Sequence, residues 1–526
     1  MGHRMIASLL AGAGLLALSA TGVFAETVWN RGMNSDVASL DPHKTSTVEE
    51  FNILNDLFEG LLTSSAEGSA MPGVASEWTV SADGKVYVFK LRKEAVWSDG
   101  SPVVASDFVF AWQRLVTPAT GAEYAAMANP ILNAEDIVAG KKKPEELAVK
   151  AIDANTLEVT LKGATPYFLE MLTHQAMFPV QPANVEKFKD DFVKPGNMVS
   201  NGPFILAENV PNDHIKAVKN AKYWDAASVK LDAVNFIPAE DRSAGLKRFE
   251  AGELDSMNDF PTEQLTEMRA KFGEQVHLTP QLGTYYYIFK SQVAPWNDVK
   301  LRNAISAVVD RDYLAEKVWQ NAMIPAYSLV PPGVEGYTPP MAEFSKMDQL
   351  DREDAAKKVF EAAGISPAKP MKMELRYNTS ENHKNTAVAF QDMLKPFGFE
   401  VTLINTDGAS HYSYLEEKGK FDVARAGWIA DYKDPVTFLD LGHTGNGNNY
   451  GEWSNAEFDK LTDAASVESD PAKRMKLLAE AEAILVAEQP IMPLLYYSTH
   501  NLVSAKVKGF VDNVMDKHPS RFISKE

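Results

Sequence analysis

No cysteine occurs among the 526 residues. That excludes disulfides, thiolate zinc sites, iron–sulfur clusters, a cysteine nucleophile and a lipid-modified N-terminal cysteine. Basic residues are short against acidic ones, 52 Lys and Arg to 71 Asp and Glu, for a formal charge of −19. Such a chain repels nucleic acid and anionic lipid unless a local basic patch overcomes the field, so no nucleic-acid partner is expected. Histidines are sparse, ten in all, and no two stand at the i, i+4 spacing of a helical metal site. The G-x-x-x-x-G-K-[ST], H-E-x-x-H and G-x-S-x-G motifs are absent, as is a strand–G-x-G-x-x-G–helix unit. No cofactor or metal is implied. Beyond the N-terminus no apolar run approaches the ~18 residues of a membrane span.

What is present begins with a leader. Residues 1–25 combine Arg4, the apolar run Ile6–Leu18 and a small-x-small ending at Val23-Phe24-Ala25, the pattern of a secretory signal cleaved before Glu26. A membrane anchor is the alternative, and the run is too short to span comfortably. A soluble product outside the cytoplasm is expected, in a periplasm given the missing lipid attachment site. Apolar residues at 45% and charged ones at 23% suit a globular chain large enough to be held by its core alone.

Short strands alternate with amphipathic helices, which predicts a mixed α/β fold. Lys85–Leu91 and Thr156–Leu161 alternate at period two and read as half-buried strands. Glu374–Tyr377, Glu400–Ile404, Phe421–Ala426 and Ile491–Tyr497 are further strand candidates. Asp241–Ala251 and Asp351–Ala363 read as helices stopped by Gly252 and Gly364, and Pro471–Glu488 as a long amphipathic helix. Thr165 is placed as N-cap of a helix with Pro166 in its first turn. No Gly/Ser-rich or Pro-rich spacer separates lobes, which favours interwoven domains around a hinged cleft.

Several stretches carry a resemblance. They are Ser39–Lys44 (SLDPHK), Asp56–Leu62 (DLFEGLL), Gly73–Gly100, Asp107–Leu115 (DFVFAWQRL), Val199–Pro203 (VSNGP), Thr284–Tyr287 (TYYY), Asn378–Lys384 (NTSENHK) and Phe421–Pro435 (FDVARAGWIADYKDP). In this order and over nearly the whole chain, the sequence resembles the periplasmic oligopeptide-binding proteins of peptide ABC transporters, family 5 of the extracellular solute-binding proteins. The resemblance implies a two-lobed α/β flytrap with an inserted extra subdomain. Transferred here, 26–56, 184–282 and 499–526 form the first lobe, 57–183 are inserted in it, and 283–498 form the second. It also implies a binding protein rather than an enzyme, a monomer, and two partners: a short peptide of about three to five residues and the transmembrane permease subunits.

Physical chemistry defines what a peptide site needs. A free peptide is a zwitterion, and a buried site must neutralise both of its ends. Arg425 and Asp431 share strand parity and would point to one face. Six residues at ~3.3 Å separate them by about 20 Å. An extended tripeptide covers about 10 Å, and the two side chains reach about 9 Å more, so a three-residue ligand bridges the pair. From the residues alone, Asp431 also fits a turn acid ahead of Pro435, and Arg425 an internal salt bridge. The resemblance places Asp431 at the ligand ammonium and Arg425 at its carboxylate, with His383 meeting the carboxylate of longer ligands. Gly427, Trp428 and Ile429 match the stretch pairing with the ligand backbone, although Gly427 alone reads equally as a bulge. Asn258 and Val48 match main-chain contacts from the other lobe. Tyr124, Tyr285, Tyr286 and Trp428 are candidate pocket walls, or else core. Lys317 is retained, while Trp319 stands where many relatives have a lysine, shortening that end of the cleft. Many relatives also place cysteines where this chain has Gly283 and Ile429, and an acid where it has Ser46.

Other readings remain on the residues. The same scaffold suits murein peptides, opines or another charged small solute. A secreted hydrolase would need an acid pair such as Asp431 and Asp434, and 71 acids supply such pairs by chance. A chaperone would bind without regard to chain termini.

Overall fold

The computed structural model describes residues 26–526, so the leader expected at 1–25 lies outside the described residues. Two mixed sheets organise the chain. Val28–Met33, Phe204–Val210, His214–Lys219, Ala233–Pro238, Ser256–Asn258, Val276–His277 and Asn501–Val503 form a seven-stranded sheet. Pro280–Phe289, Ile324–Pro325, Met371–Asn378, Phe399–Thr406, Val423–Ile429 and Ile491–Ser498 form a six-stranded one. Each sheet is the centre of a lobe. A four-stranded antiparallel sheet, Ala75–Val80, Val86–Leu91, Val149–Asp153 and Thr156–Thr160, builds the inserted subdomain.

The subdomain is fused to the first lobe rather than set beside it. Trp29 and Phe236 of the lobe share one continuous core with Phe89, Trp112 and Leu157 of the insertion. In the second lobe Pro280–Phe289 is buried on both faces: Tyr285, Tyr287 and Phe289 enter one core, Tyr286 and Ile288 another. Burial on both sides fixes this strand firmly, since each large side chain removed from water contributes about 1.5–3 kcal/mol.

The chain crosses between the sheets at 278–279 and again at 499–500. The crossings are bonded to each other: Thr499 N–H donates to the Thr279 carbonyl at 2.8 Å, and their hydroxyls lie 2.9 Å apart. Two short paired connections are the geometry of a hinge.

Local signals act largely as the residues predict. Asp241 accepts from Ala244 N–H and caps Arg242–Glu250, while Gly252 adopts φ 76° beyond its end. Asp470 caps Pro471–Glu488 in the same way. Asp348, accepting from Asp351 N–H, moves the next helix start back to Gln349–Ala362. One expectation is corrected. Thr165 caps nothing, because its hydroxyl donates to the Gly163 carbonyl, and only Phe168–Met171 is helical there.

Candidate functional site

A cavity of about 620 Å³ lies between the lobes, within the range of small-molecule sites. Val48, Phe51, Tyr124 and Lys517 line one wall, and Arg425, Trp428 and Asp431 the other. The helix that carries Val48 and Phe51 is closed at its start by hydrogen bonds. Thr47 and Glu50 form a reciprocal capping box at the start of Val48–Leu57, and Glu50 Oε2 also accepts from Ser46 N–H at 2.9 Å.

The opposite wall is a strand with one open edge. Val423–Ile429 pairs with Pro280–Phe289 along its full length, from Phe289–Val423 to Gly283–Ile429. On its other side Met371–Asn378 pairs only with Val423 and Ala424. Ala430 N–H donates inward to Leu282, so even positions bond the sheet and odd ones face the edge. The Arg425 carbonyl on that edge accepts from His411 Nε2 at 2.8 Å. By the same alternation the N–H and C=O groups of Gly427 and Ile429 point into the cavity edge. The ladder is unbulged here, and glycine at 427 answers to crowding instead: a Cβ would lie 2.6 Å from Tyr497 Oη and 3.2 Å from Arg425 Nη2.

Arg425 is buried and oriented by neutral groups. Nη1 donates to Asn378 Oδ1 at 3.0 Å and to Tyr412 Oη at 2.9 Å, and Nη2 to Tyr497 Oη at 2.8 Å. Its guanidinium stacks on Tyr285 at 4.6 Å, and Nε has no partner. Among the described residues no carboxylate pairs with it, so the internal salt bridge is not formed. A buried guanidinium held by tyrosines and an amide is ready for a carboxylate from outside.

Asp431 stands beyond the strand's end. Its only hydrogen bond among the described residues comes from Tyr124 Oη at 3.4 Å. Burial pushes its pKa up to about 6, against the pull of Lys517 and that phenol. The turn-acid role belongs to Asp434, whose carboxylate accepts from Val436 N–H at 3.0 Å and from Arg474 at 2.6 and 2.7 Å. Asp434 is thereby occupied, and no free acid pair forms.

The remaining candidates divide. His383 lies behind Arg425, its ring 5.4 Å from Tyr285, and burial with the nearby guanidinium pushes its pKa down to about 2, so it is neutral. Trp319 is buried against Tyr285 at 5.7 Å and donates to Thr386 Oγ1. Lys317 is exposed and pairs with Glu316 at 2.7 Å. Asn258 ends a strand opposite Asn501 and, like Tyr286, is outside the cavity lining. Gly283 and Ile429 face each other in the ladder, and Ser46 lines the cavity. Sequence reasoning missed Asn378, Tyr412 and Tyr497 around Arg425, and Lys517 opposite. They come from four distant segments, and no spacing marks them.

Comparison with known proteins decides the family. Residues 69–450 match the profile of the bacterial extracellular solute-binding proteins, family 5 Middle. The chain belongs to this family. It is 39% identical over 497 residues to the periplasmic oligopeptide-binding protein OppA of Salmonella typhimurium, covering 93% of this chain and 91% of the relative. To the periplasmic murein peptide-binding protein MppA of Escherichia coli it is 40% identical over 496 residues, 93% and 92% of the two chains. Among solved structures, Haemophilus influenzae OppA in complex with RPPGFSPFR superposes with a TM-score of 0.83 at 35% identity, covering 95% of this chain and 99% of that one. Among the described residues no helix is long and apolar enough to cross a membrane.

Proposed function

We propose that this chain captures short peptides of about three to five residues in the interlobe cavity and delivers them to the permease of an ABC transporter. It acts in the periplasm as a soluble monomer without turning its ligand over. The lobes divide as 26–56, 184–279 and 499–526 against 280–498, with 57–183 inserted; the border lies before the expected 282 because Pro280–Leu282 already belong to the second sheet. One observation carries the reading: an open strand edge, Gly427–Ile429, lies between an arginine that bonds no carboxylate and an aspartate that bonds no cation. An extended peptide added to that edge pairs its main chain there, whatever its side chains. Its carboxylate meets Arg425 and its ammonium Asp431, and closure of the lobes replaces the ligand's water with fixed partners. Val48, Trp428 and Tyr124 bound the ligand. His383, Trp319 and Tyr285 back the carboxylate end, while Asn258 and Lys317 lie outside the cavity lining.

Calorimetric titration tests this with one tripeptide in four forms: free, N-acetylated, C-amidated and doubly blocked. The free peptide is expected to bind tightest and the doubly blocked one weakest. Equal affinity for all four would overturn the reading.

A further inference from the structure

The cavity holds one more unpaired cation than a zwitterion uses. Lys517 lines it from the C-terminal segment, and its position is fixed from behind. Its N–H donates to Asn513 Oδ1 at 3.2 Å, and its carbonyl accepts from Asn513 Nδ2 at 2.9 Å. The residue is only 8% exposed, and Nζ rests 4.7 Å above the Phe51 ring. Among the described residues that ammonium has no hydrogen bond and no ion pair, whereas Asp516 beside it is occupied by Asn501 at 2.7 Å and His518 at 2.9 Å. Burial lowers the lysine's pKa to about 8, leaving it cationic at neutral pH.

The charges facing the ammonium are Asp431 across the cavity and Glu170 outside its lining. Glu170 accepts from the Ala70 backbone and is shared with Lys433. Within the lining, Arg425 and Lys517 thus stand against Asp431 and Asp516, and Asp516 is turned away to Asn501, His518 and the charge of Arg31. A zwitterionic peptide gives its ammonium to Asp431 and its carboxylate to Arg425. Lys517 is then left desolvated over an aromatic face, at the Asp431 end, with no anion.

We propose that Lys517 forms a carboxylate subsite beside the ammonium anchor, and that this chain selects peptides with a second free carboxylate within two residues of the N-terminus. This rests on the peptide reading above and deepens it. The second carboxylate has two chemical sources, an acidic side chain or the free α-carboxylate of a γ-linked glutamate.

Titration calorimetry with Ala-Ala-Ala, Ala-Glu-Ala, Ala-γ-Glu-Ala and Ala-Lys-Ala separates them. At least one glutamyl peptide is expected to bind about tenfold tighter than Ala-Ala-Ala, the scale of a charge-assisted hydrogen bond, and Ala-Lys-Ala weaker. Whichever glutamyl peptide leads identifies the source. In Lys517→Met the preference falls below about twofold, and Lys517→Arg keeps it. Lys517→Gln is a second neutral variant should the methionine one fail to fold. Wild-type affinities equal for all four peptides, or a preference that survives both neutral variants, would overturn the subsite while leaving the peptide reading intact. Failure of every peptide to bind would remove both.

Discussion

Asp431 and Asp434 lie on one turn of the chain and are used in opposite ways. Asp434 is nearly inaccessible, takes both terminal nitrogens of Arg474 and caps a backbone N–H. Asp431 opens on a cavity with a single long bond from Tyr124. The arginines repeat the contrast: Arg474 has its carboxylate, whereas Arg425 has an amide and two phenols. Burying an ion costs several kcal/mol unless a partner offsets it. Where the partner is internal, the charge locks the fold. Where only orienting neutral groups are supplied, the fold carries the cost until a ligand brings the counter-charge. The two ends of the cavity differ too, since three hydrogen bonds aim Arg425 and only one aims Asp431. On the proposed reading, the carboxylate end is prebuilt and the ammonium end is completed by its ligand.

The sharpest way to break this comparison is to neutralise each aspartate. Asp434→Asn leaves Arg474 buried beside a neutral amide and is expected to destabilise the protein by about 3–5 kcal/mol. Chemical denaturation of the unliganded chain measures it, and a loss under about 1 kcal/mol would erase the contrast. Asp431→Asn removes a charge that no internal cation bonds and that only Lys517 answers across the cavity, so unliganded stability is expected to change far less than at 434. Its cost appears in binding instead, about 2–5 kcal/mol of tripeptide affinity by calorimetry, because the ligand's ammonium is left unpaired. The reverse pattern, stability lost and affinity kept at 431, would make Asp431 a structural acid.

Much of the fold was legible because it rests on short-range signals. The period-two run before Leu91 is a strand, and Asp470-Pro471 starts the helix where capping chemistry puts it. Thr165 misled because the same hydroxyl that caps a helix also bonds a carbonyl two residues back, and only tertiary context chooses. The cavity was half legible. Arg425, Gly427, Trp428, Ile429 and Asp431 fall on one strand and its exit, where parity is readable from spacing. The rest joins segments far apart in sequence: Tyr497 lies 72 positions from the arginine it orients, and Asn378 lies 47 from it. Lys517 was hidden for the same reason. A lysine in an irregular C-terminal segment looks solvated until the fold covers it. Tyr285 shows that an aromatic can be core and still back a charged group, here Arg425, while Trp319 packs behind it.

Proton uptake gives the finest test of the unpaired aspartate. Burial holds Asp431 at about 6 in the unliganded cavity, so it is protonated below that pH. An ammonium brought beside it favours the carboxylate and lowers its pKa in the complex. Binding below pH 6 must therefore release a proton, and affinity falls as pH drops through about 6, by up to about tenfold per unit. From there to pH 7 the profile is flat. Unliganded stability runs the other way, since a raised carboxyl pKa makes stability fall as pH rises from about 4 to 6. Asp56 and Asp440 are also raised to about 6 and Glu482 to about 7, however, so a melting profile mixes several buried carboxyls. Binding separates them. In the lining His174, pushed down to about 3 by burial and Lys517, stays neutral. Asp516 stays ionised because the bonds from His518 and Asn501 outweigh its burial. Trialanine changes charge at neither end between pH 5 and 7. Over that range wild-type affinity is expected to fall toward pH 5, while the weaker affinity of Asp431→Asn stays level. A wild-type profile as flat as the variant's would detach the ligand's ammonium from this aspartate.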